Sequence, residues 1–210
     1  MIESFKQIYH VLQRWIYGLN SDLETHHDDF VQFIAKTISR DDWGVVTPHT
    51  GYWFGARSPD SQPADYGFTV NCHAGSAINH PLANNTILST AYLVTPAPES
   101  VTQQIFHSVL FAIVNAWEPV TVEANCCWLV QRRKSNLPFR PAWMRYLCPA
   151  LARHANPPAS AIVEHLPNGG LLLSATDQTF DVDNPQHVTV AEEIAAALTN
   201  IEWPTQESRT

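Results

Sequence analysis

Residues 43–57 read WGVVTPHTGYWFGAR, and the patterning of the sequence changes at this stretch. Two short runs, residues 43–47 and 51–57, are rich in β-branched and aromatic residues, and a proline lies between them. Two more runs of this kind follow at residues 66–73 and 86–94. Runs with this composition, divided by Pro, Gly and Asn, are typical of strands. We therefore predict that the four runs form an antiparallel sheet.

Helical patterns precede and follow these strands. In the N-terminal segment, apolar residues recur at three- and four-residue steps, which predicts one face of an amphipathic helix. These residues are Phe5, Ile8, Tyr9, Leu12, Trp15, Ile16 and Leu19. A second helix is predicted to face inward through Phe30, Phe33, Ile34 and Ile38. Residues 98–119 predict a third, in which Ser100 and Gln103 have capping-box spacing and Pro119 ends the helix.

The C-terminal third adds strands and a last helix. Residues 120–132 predict a long strand, and residues 141–147 predict a short helix with Pro141 in its first turn. Residues 160–166 and 170–176 predict a hairpin around the turn sequence PNGG. Because helices and strands are segregated along the chain, we expect an α+β fold with a mainly antiparallel sheet. The helices would pack on one face of the sheet, after an N-terminal helical segment.

Length and charge limit the function. The 210 residues predict a single α+β domain over residues 1–203 and a disordered tail at 204–210. Twenty acidic residues outnumber 12 basic ones, which gives a net charge of −8 with neutral histidines. An acidic surface repels phosphate backbones, so direct binding to nucleic acid is disfavoured and a basic partner is favoured.

The N-terminus and the cysteines both favour a cytoplasmic protein. The first 20 residues contain no apolar signal-peptide core, and no run reaches the roughly 18 apolar residues that membrane spanning requires. None of the four cysteines forms a C-x-x-C pair. Cys126 and Cys127 are consecutive in a predicted strand, so we expect their side chains to point to opposite faces. The sequence leaves their role open.

Residues 174–193, SATDQTFDVDNPQHVTVAEE, resemble a calcium loop at first sight. Asp181, Asp183 and Glu192 fill positions 1, 3 and 12 of an EF-hand loop. Pro185 then falls at position 5, where a side-chain oxygen is needed, and position 6 lacks the required glycine. An alternative fits better, because Asn184 is a favoured N-cap and Pro185 suits the first helical position. We therefore predict the start of a helix, with Phe180 packed into the core before it.

No reaction centre is recognisable elsewhere. The sequence has no G-x-S-x-G, G-x-G-x-x-G or Walker motif. His26 and His27 precede Asp28 and Asp29, but consecutive residues on a helix cannot converge on one ion. We therefore predict no catalytic residue, no metal and no cofactor. A small metal-dependent hydrolase that uses Asp181, Asp183 and a distant histidine is the alternative.

The C-terminal half resembles a known family. Its marks begin with the end of a helix at Trp117 and Pro119 and the Trp143, Tyr146 and Leu147 segment. They continue with Val163-Glu164, Gly169-Gly170 before an apolar strand, and Phe180 followed by Asn184-Pro185-x-His187. In this order, over about residues 112–201, they resemble the immunity protein 52 family of bacterial polymorphic toxin systems.

The resemblance implies an α+β antitoxin without enzymatic activity. It implies a cytoplasmic protein that binds a toxin encoded beside it, with a nuclease domain of the restriction-endonuclease type that a type VI secretion system often delivers. The family supplies no catalytic residue to carry over.

Charge and aromatic residues nominate a contact surface for such a toxin. Six carboxylates and two tryptophans of the N-terminal half are the candidates, since interface anchors combine aromatic and charged groups. They are Asp22, Glu24, Asp28, Asp29, Asp41, Asp42, Trp43 and Trp53. A solvated acidic helix and turn would have the same sequence, and an adaptor domain that binds another protein is the remaining alternative.

Overall fold

Helices and antiparallel sheets make up the described part of the chain, so the α+β prediction is confirmed. The computed structural model describes residues 7–8, 15–17, 21–22, 27–58, 68–77, 85–90, 102–125 and 139–202. The chain divides into two compact units, residues 2–100 and 101–210, with Met1 assigned to the second. The single domain over residues 1–203 stays a prediction. Within the described residues, no helix is long and apolar enough to cross a membrane.

Five described strands form the sheet of the first unit, in the order β2-β1-β3-β4-β5 with every pair antiparallel. They are β1 (Ile16–Tyr17), β2 (Ser21–Asp22), β3 (Tyr52–Arg57), β4 (Phe68–Ala74) and β5 (Asn85–Thr90). Three of the four predicted runs therefore form strands, as their β-branched and aromatic content favours.

One face of this sheet is apolar and covered. Ala56, Val70 and Cys72 are buried on it, because they occupy the same side of paired strands. Helix α1 (His27–Lys36) packs on that face, where Phe30 meets Phe54 edge-on with ring centroids 5.5 Å apart. The predicted inward residues of the second helix, Phe33, Ile34 and Ile38, are half-buried.

Two predictions for the first unit are wrong in part. Ile16 was expected on the apolar face of the N-terminal helix, but Ile16 and Tyr17 pair with Arg57 and Ala56 of β3. Pairing with a distant strand outweighs local helical periodicity here. Residues 43–47 form no strand, although an isolated antiparallel bridge joins Arg40 to Val46 and the Thr47 amide donates to the Ser39 carbonyl at 2.8 Å. Most of the predicted N-terminal helix lies outside the described residues.

The second unit contains a four-stranded antiparallel sheet in the order β6-β7-β9-β8. Its strands are β6 (Thr121–Ala124), β7 (Met144–Leu147), β8 (Ile162–His165) and β9 (Leu171–Ser174). Its helices are α2 (Gln103–Trp117), α3 (Pro149–Ala152) and α4 (Pro185–Ala197). The predicted hairpin is confirmed, since β8 pairs with β9 across the PNGG turn.

The strand β7 corrects the prediction of a short helix at residues 141–147. All four of its residues and all four of β9 are buried. Because neighbouring strand residues point to opposite faces, both faces of the sheet centre are covered. A strand buried on both sides shows no apolar alternation, so the short sequence MRYL did not reveal it.

The N-cap of helix α2 lies two residues after the predicted cap, Ser100. Thr102 is its N-cap, and its hydroxyl accepts a hydrogen bond from the Ile105 amide. The helix ends at Glu118, whose left-handed backbone (φ 44°) directs its amide to the Val114 carbonyl. Cys126, Cys127, the rest of the predicted strand at 126–132, and the tail at 204–210 lie outside the described residues.

Candidate protein-binding surface

A tight turn at residues 40–46, hereafter the Trp43 turn, follows α1 in the first unit. The Asp41 carboxylate accepts hydrogen bonds from the amides of Trp43 (3.0 Å) and Val45 (2.8 Å). The Arg40 guanidinium donates to the Gly44 carbonyl (2.9 Å), and Gly44 takes a positive φ of 79°. An aspartate that bonds to the backbone two residues later is typical of a turn, and it explains why this stretch is not a strand.

The Trp43 turn presents apolar side chains to solvent. Trp43 is 86% exposed, and Val45 and Val46 are 61% and 37% exposed. Asp42 is also exposed, whereas Asp41 is half-buried by its role within the turn. An exposed indole beside exposed aliphatic groups and a carboxylate is typical of a protein-binding site.

Backbone hydrogen bonds fix the base of this turn to β3. The Ser39 amide donates to the Gly51 carbonyl at 2.9 Å, and the Trp53 amide donates to the Thr37 carbonyl at 3.2 Å. Gly51 has a φ of 83°, and a β-carbon there would lie 2.4 Å from the Ala74 carbonyl oxygen. The turn therefore projects from a hydrogen-bonded base.

Trp53 lies on the sheet face opposite to the one that α1 covers. Its ring stacks on His73 with centroids 4.0 Å apart and planes 5° apart. Trp53 is 50% exposed, while His73 is buried. The His73 Nε2 lies within hydrogen-bond distance of the Thr50 carbonyl, so this nitrogen carries the proton and donates.

The remaining nominated carboxylates lie on other elements or outside the described residues. Asp28 and Asp29 are exposed in the first turn of α1, where the helix dipole favours negative charge. Asp22 belongs to β2 and pairs with Ile16, and Glu24 is outside the described residues. Asp41, Asp42 and Trp43 are thus the three nominated residues that share one turn. Their contact with a toxin stays a prediction.

Several exposed or supporting residues were not predicted from the sequence. Val45, Val46, Tyr52 and Ile87 are exposed apolar side chains of the first unit, and His73 supports Trp53. The sequence DDWG contained a usable signal, since Asp at the first position of a turn and Gly at the fourth are both favoured. The pairing of Trp53 with His73 had no such signal, because it depends on strand register.

The loop at residues 180–187 is the start of a helix, as predicted. The Asp181 carboxylate accepts from the Asp183 amide at 2.9 Å, and the Asn184 side chain accepts from the Gln186 amide at 3.0 Å. His187 Nδ1 accepts from the Asp181 amide at 3.1 Å, and the buried Phe180 ring lies against it. Across the described ranges, no group of three or more His, Cys, Asp and Glu residues could hold a metal ion.

A buried, charged side chain lies in the sheet of the second unit. Arg145 is 3% exposed, donates to the Glu123 carboxylate at 2.7 Å and lies 5.2 Å from the Phe139 ring centroid. Burial lowers the pKa of the Arg145 guanidinium, and Glu123 opposes that shift. The Arg145 guanidinium is enclosed by the core and paired with Glu123, so it is part of the folded core and not of a solvent-facing site.

The whole chain was compared with known proteins and protein families. The family model for immunity protein 52 matches residues 6–202, which extends well beyond the residues 112–201 on which the sequence resemblance rested. A search of curated proteins finds no match. Since the matched region spans nearly all of the 210 residues, the chain belongs to the immunity protein 52 family.

Proposed function

We propose that this protein neutralises a cognate toxin by direct binding, and that the toxin is a nuclease of the restriction-endonuclease type. The family match over residues 6–202 is the observation that carries this proposal. The protein would act in the cytoplasm of the cell that produces the toxin, and the toxin would belong to a polymorphic system delivered by type VI secretion. The nominated carboxylates and tryptophans of the first unit would contribute to the contact.

Charge supports a nuclease as the partner. A nuclease must carry a basic surface to hold a phosphate backbone. The net charge of this protein is −8, and residues 2–100 contain ten acidic and five basic residues. Opposite net charges accelerate encounter and favour one partner over others.

The arrangement of side chains supports binding over catalysis. Asp181, the first residue of the alternative metal site, uses its carboxylate to accept the Asp183 amide. The nearest imidazole, His187, uses Nδ1 to accept the Asp181 amide. Both groups thus stabilise the start of α4, so the described geometry does not favour the hydrolase alternative.

Co-expression with the toxin encoded beside this gene tests the proposal. We expect host cells to survive when both proteins are made and to die when the toxin is made alone. A catalytically inactive toxin domain should retain this protein in a pull-down, and raised salt should weaken that retention. In a plasmid-cleavage assay, purified toxin should cut DNA and stop cutting when this protein is added. Cell death with both proteins present, together with no complex, would overturn the proposal.

A further inference from the structure

We propose that the Trp43 turn is a preformed anchor, and that the toxin receives Trp43 in an apolar pocket bordered by Lys or Arg. This inference rests on the proposed function, since it names the surface through which this protein would hold its partner. It also divides the two aspartates of the turn by role, with Asp42 as the contact group and Asp41 as a positioning residue.

The exposure of the turn is the first observation behind this proposal. Trp43 is the most exposed of the large hydrophobic side chains in the described residues, at 86%. Val45 follows two residues later at 61%. Placing an indole and a valine in water has a free-energy cost that a partner removes when it covers them. Tryptophan is also enriched among the few interface residues that dominate binding energy.

The geometry of the turn is the second observation. The Asp41 carboxylate holds the amides of Trp43 and Val45, and the Asp41 amide donates to the Val45 carbonyl at 2.9 Å. The Arg40 guanidinium donates to the Gly44 carbonyl. Because the free protein already has this conformation, binding requires little further ordering of the backbone. Asp41 therefore acts through the position of Trp43, and its carboxylate is committed to the turn.

Charge identifies the occupant of this surface. Asp42 is exposed beside Trp43, and both lie in a unit that is itself acidic. A second copy of this chain would bring like charges together, which is unfavourable. A partner with a basic rim is attracted electrostatically to Asp42 and to the acidic unit around it. A nuclease surface has that character, and its apolar pocket would receive the indole.

The test measures the affinity of purified variants for a catalytically inactive form of the toxin domain. We expect Trp43→Ala to weaken binding by at least about 30-fold, the loss typical of a dominant interface residue. Asp42→Asn should weaken it by about 5- to 10-fold and reduce its salt dependence. Asp177→Asn and Val163→Ala are matched controls, since both residues are exposed in the second unit. We expect each control to stay within about twofold of the unaltered protein.

The positioning role of Asp41 has its own pair of variants. Asp41→Asn keeps a side-chain oxygen that can accept the two amides, whereas Asp41→Ala does not. We expect Asp41→Ala to weaken binding by about tenfold and Asp41→Asn to restore most of the affinity. Equal losses in both variants would show that Asp41 acts by charge, which would overturn its assignment as a positioning residue. Thermal melts of each variant check that the fold is kept.

The outcomes separate this inference from the proposed function. If the unaltered protein neither binds nor inhibits the toxin, the proposed function is wrong. If it binds, and Trp43→Ala binds equally well, the proposed function stands and the anchor is wrong. Sedimentation of the protein alone tests whether a second copy of the chain binds the turn instead. A dimer that Trp43→Ala dissociates would assign the turn to a second copy and overturn the inference.

Discussion

The indole of Trp53 and the imidazole of His73 lie parallel, 4.0 Å apart, on paired residues of neighbouring strands. The half-exposed ring thus shields the buried one from water. Facing aromatic residues on a sheet stabilise it beyond the area that they bury. This pair therefore connects a residue nominated for binding with the stability of the first unit.

A double-mutant cycle on this pair gives the first prediction. We expect Trp53→Ala and His73→Ala each to lower the free energy of unfolding by about 1–2 kcal/mol. The coupling between them should be about 0.5–1.5 kcal/mol, because each substitution removes the same stacking contact. Urea denaturation of the four proteins measures it. Ile87→Ala is the control, since its side chain is 56% exposed on the same face. Additive losses would show that the stacking contributes nothing.

The buried Arg145 gives the second prediction. Within the part of the chain that the structure describes, its Nε has no hydrogen-bond partner, so part of the cost of burying the charge is not offset. We expect Arg145→Met to be as stable as the unaltered protein, or more stable, because methionine fills the site without a charge. Glu123→Gln should lower the free energy of unfolding by about 1–3 kcal/mol, since it weakens the partner of a charge that stays buried.

Thermal denaturation checks the order of stability, with Arg140→Met as the control because Arg140 is exposed. A methionine variant that is less stable than Glu123→Gln would show that the ion pair itself stabilises the fold.

The start of α4 gives the third prediction. Asn184→Ala should lower the free energy of unfolding by about 1 kcal/mol, because the Gln186 amide loses its acceptor. Asn184→Asp is the control that keeps an acceptor, and it should lie close to the unaltered protein. Millimolar calcium should leave the melting temperature unchanged, since the Asp181 carboxylate already accepts the Asp183 amide. An increase in melting temperature with calcium would favour the alternative of a metal site.

Cys72 gives the fourth prediction, which concerns pH. Burial raises the pKa of its thiol above the ordinary value of 9.0, and the hydrogen bond with Thr86 only partly opposes this. The stability that the neutral buried thiol contributes is fully present below the unfolded pKa. It is lost as the pH rises from 9.0 through the raised folded-state pKa. We therefore expect the free energy of unfolding to decline in this alkaline range.

Cys72→Ala should make that decline shallower, because the ionisable group is absent from both states. Cys148→Ala is the control, since this half-buried cysteine lies in the other unit. Chemical denaturation between pH 7 and about pH 10 compares the slopes. Equal slopes in the unaltered protein and Cys72→Ala would assign the alkaline loss to other groups.

Local signals in the sequence predicted several elements well. The PNGG turn fixed the hairpin of β8 and β9, and Asn184 with Pro185 fixed the start of α4, because both signals lie within a few residues. The elements that were missed depend on distant partners. Strand β7 is defined by β6 and β9 on its two sides, and Ile16 is extended because Arg57 lies opposite.

The candidate surface was predicted by composition and not by geometry. Acidic and aromatic residues between positions 22 and 53 indicated a region, but they did not indicate which residues share an element. Asp41 and Asp42 are neighbours of identical type, and the hydrogen bonds of Asp41 to the Trp43 and Val45 amides distinguish them. A sequence pattern cannot make this distinction, because it depends on which carboxylate turns toward the backbone.

In the Trp43 turn, the residues that fix the backbone differ from the residues that protrude. Arg40, Asp41 and Gly44 determine the path of the backbone, and Asp42, Trp43 and Val45 protrude from it. Substitutions at the protruding positions, the tip of the turn, can therefore alter its surface chemistry without changing the backbone frame that Arg40, Asp41 and Gly44 determine. On the contact proposed above, a change of toxin would require one or two exchanged side chains and no new loop. The same frame could be grafted onto another antiparallel hairpin to display a different tip.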